Sequence, residues 1–163
     1  MENWSFGGAT TNNGLTSTSI LVPSLQDQLM WFKLKGNSCY SNKTPKHLVS
    51  YMAGVNNYLD PKITPEATIS DIRRHLKVLI KDLGFKNIFI SDIPPINEAP
   101  IFTGNHLKPG QDRGNVRNDP NIKSKVDKHN LLMKDLINSA RSAYPQVNLY
   151  FYQFSTFGQL HKR

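Results

Sequence analysis

The sequence has little cysteine and no long apolar run, and each shortage restricts what the chain can be. Cys39 is the only cysteine among 163 residues, which excludes an internal disulfide and a cysteine-based zinc site. No stretch approaches the roughly 20 apolar residues that a membrane-spanning helix needs. The N-terminal residues show no basic segment followed by an apolar run. We therefore predict no membrane span and no signal peptide, and the sequence does not indicate a compartment.

Common catalytic and cofactor-binding patterns are missing as well. The sequence contains neither Gly-x-Gly-x-x-Gly nor a P-loop, so we expect no nucleotide cofactor. Its histidines are scattered, without a His-x₃-His pair or a carboxylate cluster at ligand spacing, so we expect no metal. It also lacks Gly-Asp-Ser, Gly-x-Ser-x-Gly and Asp-x-x-His, the segments that usually carry a serine nucleophile and its acid–base partners. The sequence therefore predicts no catalytic triad, cofactor or metal.

The composition is that of a folded domain with a basic surface. Hydrophobic residues make up 38% of the chain and charged residues 20%, which allows one globular domain over residues 1–163. The net charge of +8 suggests nucleic-acid binding. However, acids are interspersed with the bases, and no basic run carries aromatic residues that could stack on bases. A solvated basic surface is the better interpretation, and we expect no nucleic-acid partner.

Apolar patterning predicts an α/β fold with a parallel sheet. Continuous apolar runs predict strands near 47–53, 87–93 and 147–153, and the first of these is expected to be buried on both faces. Apolar residues at helical spacing predict a helix from the cap Thr64 to Gly84, and others over 24–34 and about 125–144. The order strand, helix, strand predicts a right-handed βαβ unit. We expect His75 at the flank of its helix, and His129 at a helix entry or on the surface.

Two turns rich in glycine and asparagine carry a family resemblance. Phe6-Gly7-Gly8-Ala9-Thr10-Thr11-Asn12-Asn13 resembles the second conserved block of the GDSL/SGNH ester hydrolases, in the branch with acetyl esterases that act on plant polysaccharides. Gly54-Val55-Asn56-Asn57-Tyr58 resembles the third block, usually Gly-x-Asn-Asp. The helix from Thr64, the segment Ile93-Pro94-Pro95 and His129-Asn130 follow in matching order. The resemblance therefore covers nearly the whole chain.

This resemblance implies a site for the oxyanion that forms during ester hydrolysis. In such enzymes a serine attacks the ester carbonyl, and the resulting oxyanion is held by backbone N–H groups and an asparagine amide. By position, Gly8 supplies a backbone donor and Asn56 the side-chain donor. Asn57 and Trp4 are further candidates for the pocket. Read without the resemblance, Gly8 and Asn56 are ordinary turn formers.

The departures from the family pattern predict a partial domain that is inactive alone. The segments with the serine and the Asp–His pair are missing, and Asn57 replaces the usual Asp. The implied fold is a partial three-layer SGNH sheet, flavodoxin-like, that lacks its first strand and exposes an edge. The expected partner is an ester substrate or an acylated glycan or lipid. A complementary fragment, or self-association through the exposed edge, also fits. The alternatives are a non-catalytic acyl- or glycan-binding module and, less favoured, a nucleic-acid-binding protein.

Overall fold

The structure, a computed structural model, describes residues 3–15, 22–36, 47–103 and 119–156. Helices alternate with strands along these parts of the chain. In chain order the elements are α1 (Leu25–Trp31), β1 (Leu48–Tyr51), α2 (Pro65–Lys77), β2 (Asn87–Ser91), α3 (Pro100–Thr103), α4 (Ile122–Ala143) and β3 (Asn148–Tyr152). Single π turns extend α1 through Phe32–Gly36 and α2 through Val78–Asp82. Short 3₁₀ helices lie at Val55–Leu59 and Ile96–Glu98.

The three strands form one parallel sheet in the order β1-β2-β3. In the register, Val49 of β1 lies opposite Ile88 of β2, and Ile88 lies opposite Leu149 of β3. The predicted α/β class and the three parallel strands are confirmed, although each strand is shorter than its apolar run.

Local sequence signals account for both ends of α2. The Thr64 hydroxyl accepts a hydrogen bond from the Ala67 backbone N–H at 3.2 Å, as an N-cap does, and Pro65 occupies the first helical position. Gly84, with φ of +71°, ends the π turn that follows α2. The helix therefore begins and ends where its caps predicted.

Helices α2 and α4 pack on each other and on a single face of the sheet. The crossovers from β1 to β2 and from β2 to β3 both run over that side, as crossovers of one hand do in a sheet of this strand order. The core between them is apolar, with Ile72 and Leu76 from α2 and Met133 and Ile137 from α4. Below these helices lie strand residues that include Tyr51, Ile88, Ile90 and Leu149. This face of the sheet supplies the buried core.

The opposite face of the sheet, called here the uncovered face, is largely exposed. Leu48 is 61% exposed, Met52 54% and Tyr150 52%, and Tyr152 is exposed as well. The expectation that β1 is buried on both faces is therefore wrong. The reason is topological, because consecutive right-handed crossovers in one direction along a sheet cover only one of its faces.

The two outer edges of the sheet differ. The Asn148 N–H donates to the Lys86 carbonyl at 2.7 Å, and the Asp92 N–H donates to the Tyr152 carbonyl at 3.1 Å. Because backbone groups alternate along a strand, Leu149 directs its carbonyl away from β2. The guanidinium of Arg141 donates to that carbonyl at 2.8 Å. The outer edge of β3 is therefore partly capped by a side chain.

The outer edge of β1 carries no such cap from the part of the chain that the structure describes. The register and the same alternation direct the backbone groups of Leu48 and Ser50 away from β2. Within the described residues, nothing hydrogen-bonds to these outward groups. We call this side of β1 the free edge. It adjoins the uncovered face, since Leu48 contributes its side chain to that face and its backbone to the free edge.

None of the helices within the described residues has the length and apolar character that crossing a membrane requires.

Candidate functional site

Two turns distant in sequence meet at the carboxyl end of β1. The turn that follows β1 contains Asn56, and its side-chain amide donates to the carbonyl of Ala9 at 3.0 Å. Ala9 directly follows Gly8, so both residues that we expect to be oxyanion donors lie at one end of the sheet. This is the end at which parallel α/β folds bind their ligands.

Gly8 occupies a tight turn of the chain. The Ala9 N–H donates to the Phe6 carbonyl at 3.2 Å, and Gly8 has φ of +83° in the third position of that turn. This combination is typical of a type II turn, in which glycine avoids the strain that a side chain would introduce. Gly8 is exposed, and its N–H donates to no described residue. It therefore remains available to a ligand.

Gly54 opens the turn that carries Asn56. Its φ of +105° lies in the region that favours glycine, and the residue is buried. A Cβ built at Gly54 would lie 2.8 Å from Cε1 of His129 and 3.2 Å from Cγ2 of Thr68. A side chain at position 54 is thus opposed by backbone conformation and by space. Glycine is needed here for the turn to lie against α4.

Asn57 joins the two turns from inside the protein. It is fully buried, and its side-chain oxygen accepts the Thr11 N–H at 2.9 Å. Its amide nitrogen donates to the hydroxyl of Thr11 at 2.7 Å and to that of Thr68 at 3.1 Å. The Thr11 hydroxyl in turn donates to Asp71 at 3.0 Å, and Asp71 pairs with Arg74. Asn57 therefore ties the glycine turn to α2, with its amide directed inward.

A buried tyrosine–histidine pair supports the same turn. The Tyr58 hydroxyl and Nδ1 of His129 lie 2.8 Å apart, and their rings are nearly perpendicular. Burial lowers the pKa of His129 to about 4 and raises that of Tyr58. His129 is fully buried within α4, so the expectation that it lies at a helix entry or on the surface is wrong.

A second pair of the same kind lies under the sheet. The Tyr51 hydroxyl is 2.7 Å from Nδ1 of His75, and only 3% of His75 is exposed. Burial, with the nearby charge of Arg74 contributing, lowers the pKa of His75 to about 4. The expectation of a position at the helix flank is wrong for His75. In both pairs, Nε2 of the histidine has no hydrogen-bond partner among the described residues.

No serine–histidine pair lies at the two turns within the described part of the chain. The hydroxyl of Ser5, the serine nearest the glycine turn, donates to the side chain of Asn3 at 2.5 Å. His75 and His129 are buried and bonded to tyrosines, while His106 and His161 lie outside the described residues. The described residues also contain no cluster of three or more groups that could ligate a metal. As far as the structure describes the chain, the arrangement offers hydrogen-bond donors and no activated nucleophile.

Trp4 and several buried polar residues complete the surroundings of the site. Trp4 is half-buried, and its ring meets that of Phe32 edge-on with the centroids 5.6 Å apart. The roles of Thr11, Thr68, Asp71 and His129 were not foreseen from the sequence. A signal was present for His129, which lies three residues after Val126 and four before Met133 and so falls on the apolar face of α4.

A scan of the sequence against models of protein families finds no match, and a search of curated proteins finds no related sequence.

Proposed function

We propose that this chain contributes the oxyanion-binding part of an ester-binding site of the GDSL/SGNH type. In this proposal the Gly8 N–H and the Asn56 amide hold the carbonyl oxygen of a carboxylic ester, such as an acetylated carbohydrate or lipid. The sheet then corresponds to part of the SGNH sheet, without its first strand. The observation that carries the proposal is the contact between the two turns, in which Asn56 donates to Ala9 beside Gly8.

The chemistry of the two donors fits an ester oxygen. Asn56 has two amide protons, and the bond to Ala9 uses one of them, so the second remains for a ligand. The Gly8 N–H is also unused within the described residues. Neutral donors fixed before the substrate arrives stabilise developing negative charge without reorganising during the reaction. In working enzymes, the loss of one such donor lowers the rate about 10²–10³-fold.

The chain alone is expected to bind rather than to catalyse. Oxyanion donors lower a barrier only when a nucleophile attacks the carbonyl, and the described residues hold no nucleophile–base pair beside them. This observation also favours the second candidate function, a non-catalytic module that binds acylated ligands. The two candidates share the donors and differ in whether a complementary segment with a nucleophile acts with this chain.

An NMR titration of the full chain with sodium acetate tests the donor role. The acetate carboxylate presents the same kind of oxygen as the oxyanion. We expect the Gly8 backbone signal and the Asn56 side-chain signals to shift along one saturation curve. Asn56→Ala should abolish the response at Gly8. Asn138→Ala, an exposed change on α4, is the matched control and should leave that response intact.

Two further measurements make the outcome decisive. Sodium chloride at equal ionic strength controls for general anion attraction to a chain with a net charge of +8. Hydrolysis of p-nitrophenyl acetate should be slow and equal in the wild type and Asn56→Ala. If acetate moves neither signal, or chloride moves both equally, the donor proposal fails. Fast, saturable hydrolysis that Asn56→Ala removes would instead reveal a nucleophile within the chain.

A further inference from the structure

A single imidazole contacts both ends of the turn that carries Asn56. The turn starts at Gly54. Its last residue with a side-chain hydrogen bond to α4 is Tyr58. His129 meets the first residue through its ring carbon Cε1 and the second through Nδ1. Asn56 lies in the middle, two residues from each contact. The ring therefore connects α4 to both ends of a five-residue segment.

The contact at Gly54 is one of close packing. A methyl group at this position would lie 2.8 Å from Cε1, closer than carbon atoms approach without displacement. The backbone of the turn thus rests directly on the imidazole. A smaller residue at position 129 would leave a void under Gly54, and the turn would be free to move into it.

The contact at Tyr58 is a hydrogen bond in a closed environment. Tyr58 is 1% exposed and His129 is fully buried, and their polar atoms lie 2.8 Å apart. Because solvent does not reach this pair, water cannot replace either partner when the other is removed. The bond therefore fixes the position of Tyr58, and with it the carboxyl end of the turn.

We infer that His129 is a positioning residue that sets the location of the Asn56 amide, acting through Gly54 and Tyr58. The role in ester binding rests on the function proposed above. Asn57 ties the same turn to Thr11 and Thr68, and the Asn56 side chain itself makes a single bond, from its amide to the Ala9 carbonyl. That bond can form only where the turn places the amide, so loosening either end of the turn weakens it. The neutral imidazole does this without adding a charge near the donors.

Replacement of His129 tests the inference by NMR, and the chain contains its own control. His129→Leu should move the Asn56 side-chain signals toward those of a free amide and make their exchange with water about tenfold faster. His75→Leu removes a matching pair, also a buried histidine bonded to a tyrosine, from a different place in the core. It should leave the Asn56 signals unchanged at a similar loss of stability. His129→Asn, which keeps an acceptor near Nδ1, should restore part of the wild-type signals.

Milder variants cover the case in which a leucine variant does not fold. Tyr58→Phe and Tyr51→Phe remove one hydroxyl from each pair, and only Tyr58→Phe should affect Asn56. The inference is overturned if His129→Leu and His75→Leu change the Asn56 signals equally, or if neither changes them. The same holds for Tyr58→Phe and Tyr51→Phe. These signals are recorded without acetate. If acetate does not shift the signals of the wild-type chain, only the proposed function fails. The variant comparison still decides whether His129 positions the Asn56 amide.

Discussion

At the scale of single residues, proton counting explains why an amide stands at position 57. The Thr11 hydroxyl has one proton, and it is directed to the Asp71 carboxylate. The Thr68 hydroxyl likewise donates its proton to the Thr64 carbonyl at 3.2 Å. Toward residue 57, both hydroxyl oxygens can therefore only accept. Residue 57 must donate one hydrogen bond to each of them. Asn can do this and an ionised Asp cannot, which gives a physical reason for asparagine at this position.

Asn57→Asp is therefore expected to destabilise the protein. The new carboxylate would be fully buried and would face two hydroxyl oxygens whose protons are committed elsewhere. We expect a loss of roughly 3 kcal/mol in the free energy of unfolding, measured by urea denaturation at neutral pH.

A second substitution tests the proton-counting argument directly. In Asn57→Asp combined with Asp71→Asn, the Thr11 hydroxyl can reverse and donate to residue 57. We expect the double variant to recover about half of the lost stability, so that the two changes are not additive. Additive losses would show that the direction of these hydrogen bonds is unimportant.

At the scale of helices and strands, apolar periodicity predicted the elements but not the environment of the polar residues within them. The three strands and α2 followed from continuous or helical apolar spacing and from the caps at Thr64 and Gly84. His75 was wrongly predicted at the flank of the helix, because a polar histidine interrupts the apolar stripe in the sequence. Its spacing, three residues after Ile72 and four before Leu79, nevertheless puts it on the buried face. What the spacing could not supply was the partner, Tyr51, which only the packing of β1 on α2 brings near.

The contact between the two candidate turns was predictable only in part. Parallel strands bring the segments after their carboxyl ends to one edge, so the position of Asn56 follows from the strand before it. No strand precedes Gly8 within the described residues, and only the family resemblance suggested its place. The bonds of Asn57 to Thr11 and Thr68 depend on three-dimensional packing across 46 and 11 residues, which no local pattern encodes.

The two tyrosine–histidine pairs make the packing of α2 and α4 sensitive to acid. Both histidines have a pKa of about 4 in the folded chain, below the value of 6.5 for an exposed histidine. The unfolded chain therefore takes up these protons first as the pH falls. The contribution of the two neutral histidines to stability is fully present above about pH 6.5 and is lost as the pH decreases toward 4. We expect urea denaturation to show a decrease of about 3 kcal/mol between pH 7 and pH 5.

Removing one titrating group isolates the contribution of each pair. In His75→Asn, residue 75 no longer titrates but can still accept a bond from Tyr51. The slope of stability against pH between 6 and 5 should fall to about half of the wild-type slope, whatever the stability at pH 7. An unchanged slope would assign the acid sensitivity to other groups.

At the scale of the whole molecule, the main feature is a sheet covered on one side. Leu48 belongs both to the uncovered face and to the free edge, where backbone groups of β1 have no described partner. Neither a proline nor a charged residue occurs within β1, and these are the residues that usually prevent pairing between edges. The net charge of +8 opposes self-association through this edge.

This balance predicts an unusual response to salt. Because added salt screens the repulsion between chains, we expect sedimentation velocity to show more self-association in about 1 M than in about 0.1 M sodium chloride. Leu48→Lys should suppress the association at both concentrations. Tyr150→Lys, on the same face but over the capped strand β3, should have a smaller effect. A chain that is monomeric throughout, or two variants with equal effects, would contradict a role for the free edge.

The Arg141 side chain also determines how far such an assembly can grow. It occupies an outward carbonyl of β3 and so hinders pairing at that edge, which favours extension of the sheet from β1. Two chains that pair through β1 are related by a two-fold axis, and each then presents its capped strand at the ends of the joined sheet. Such an assembly is favoured to stop at two chains. The Arg141 guanidinium thus opposes growth into an open-ended fibre.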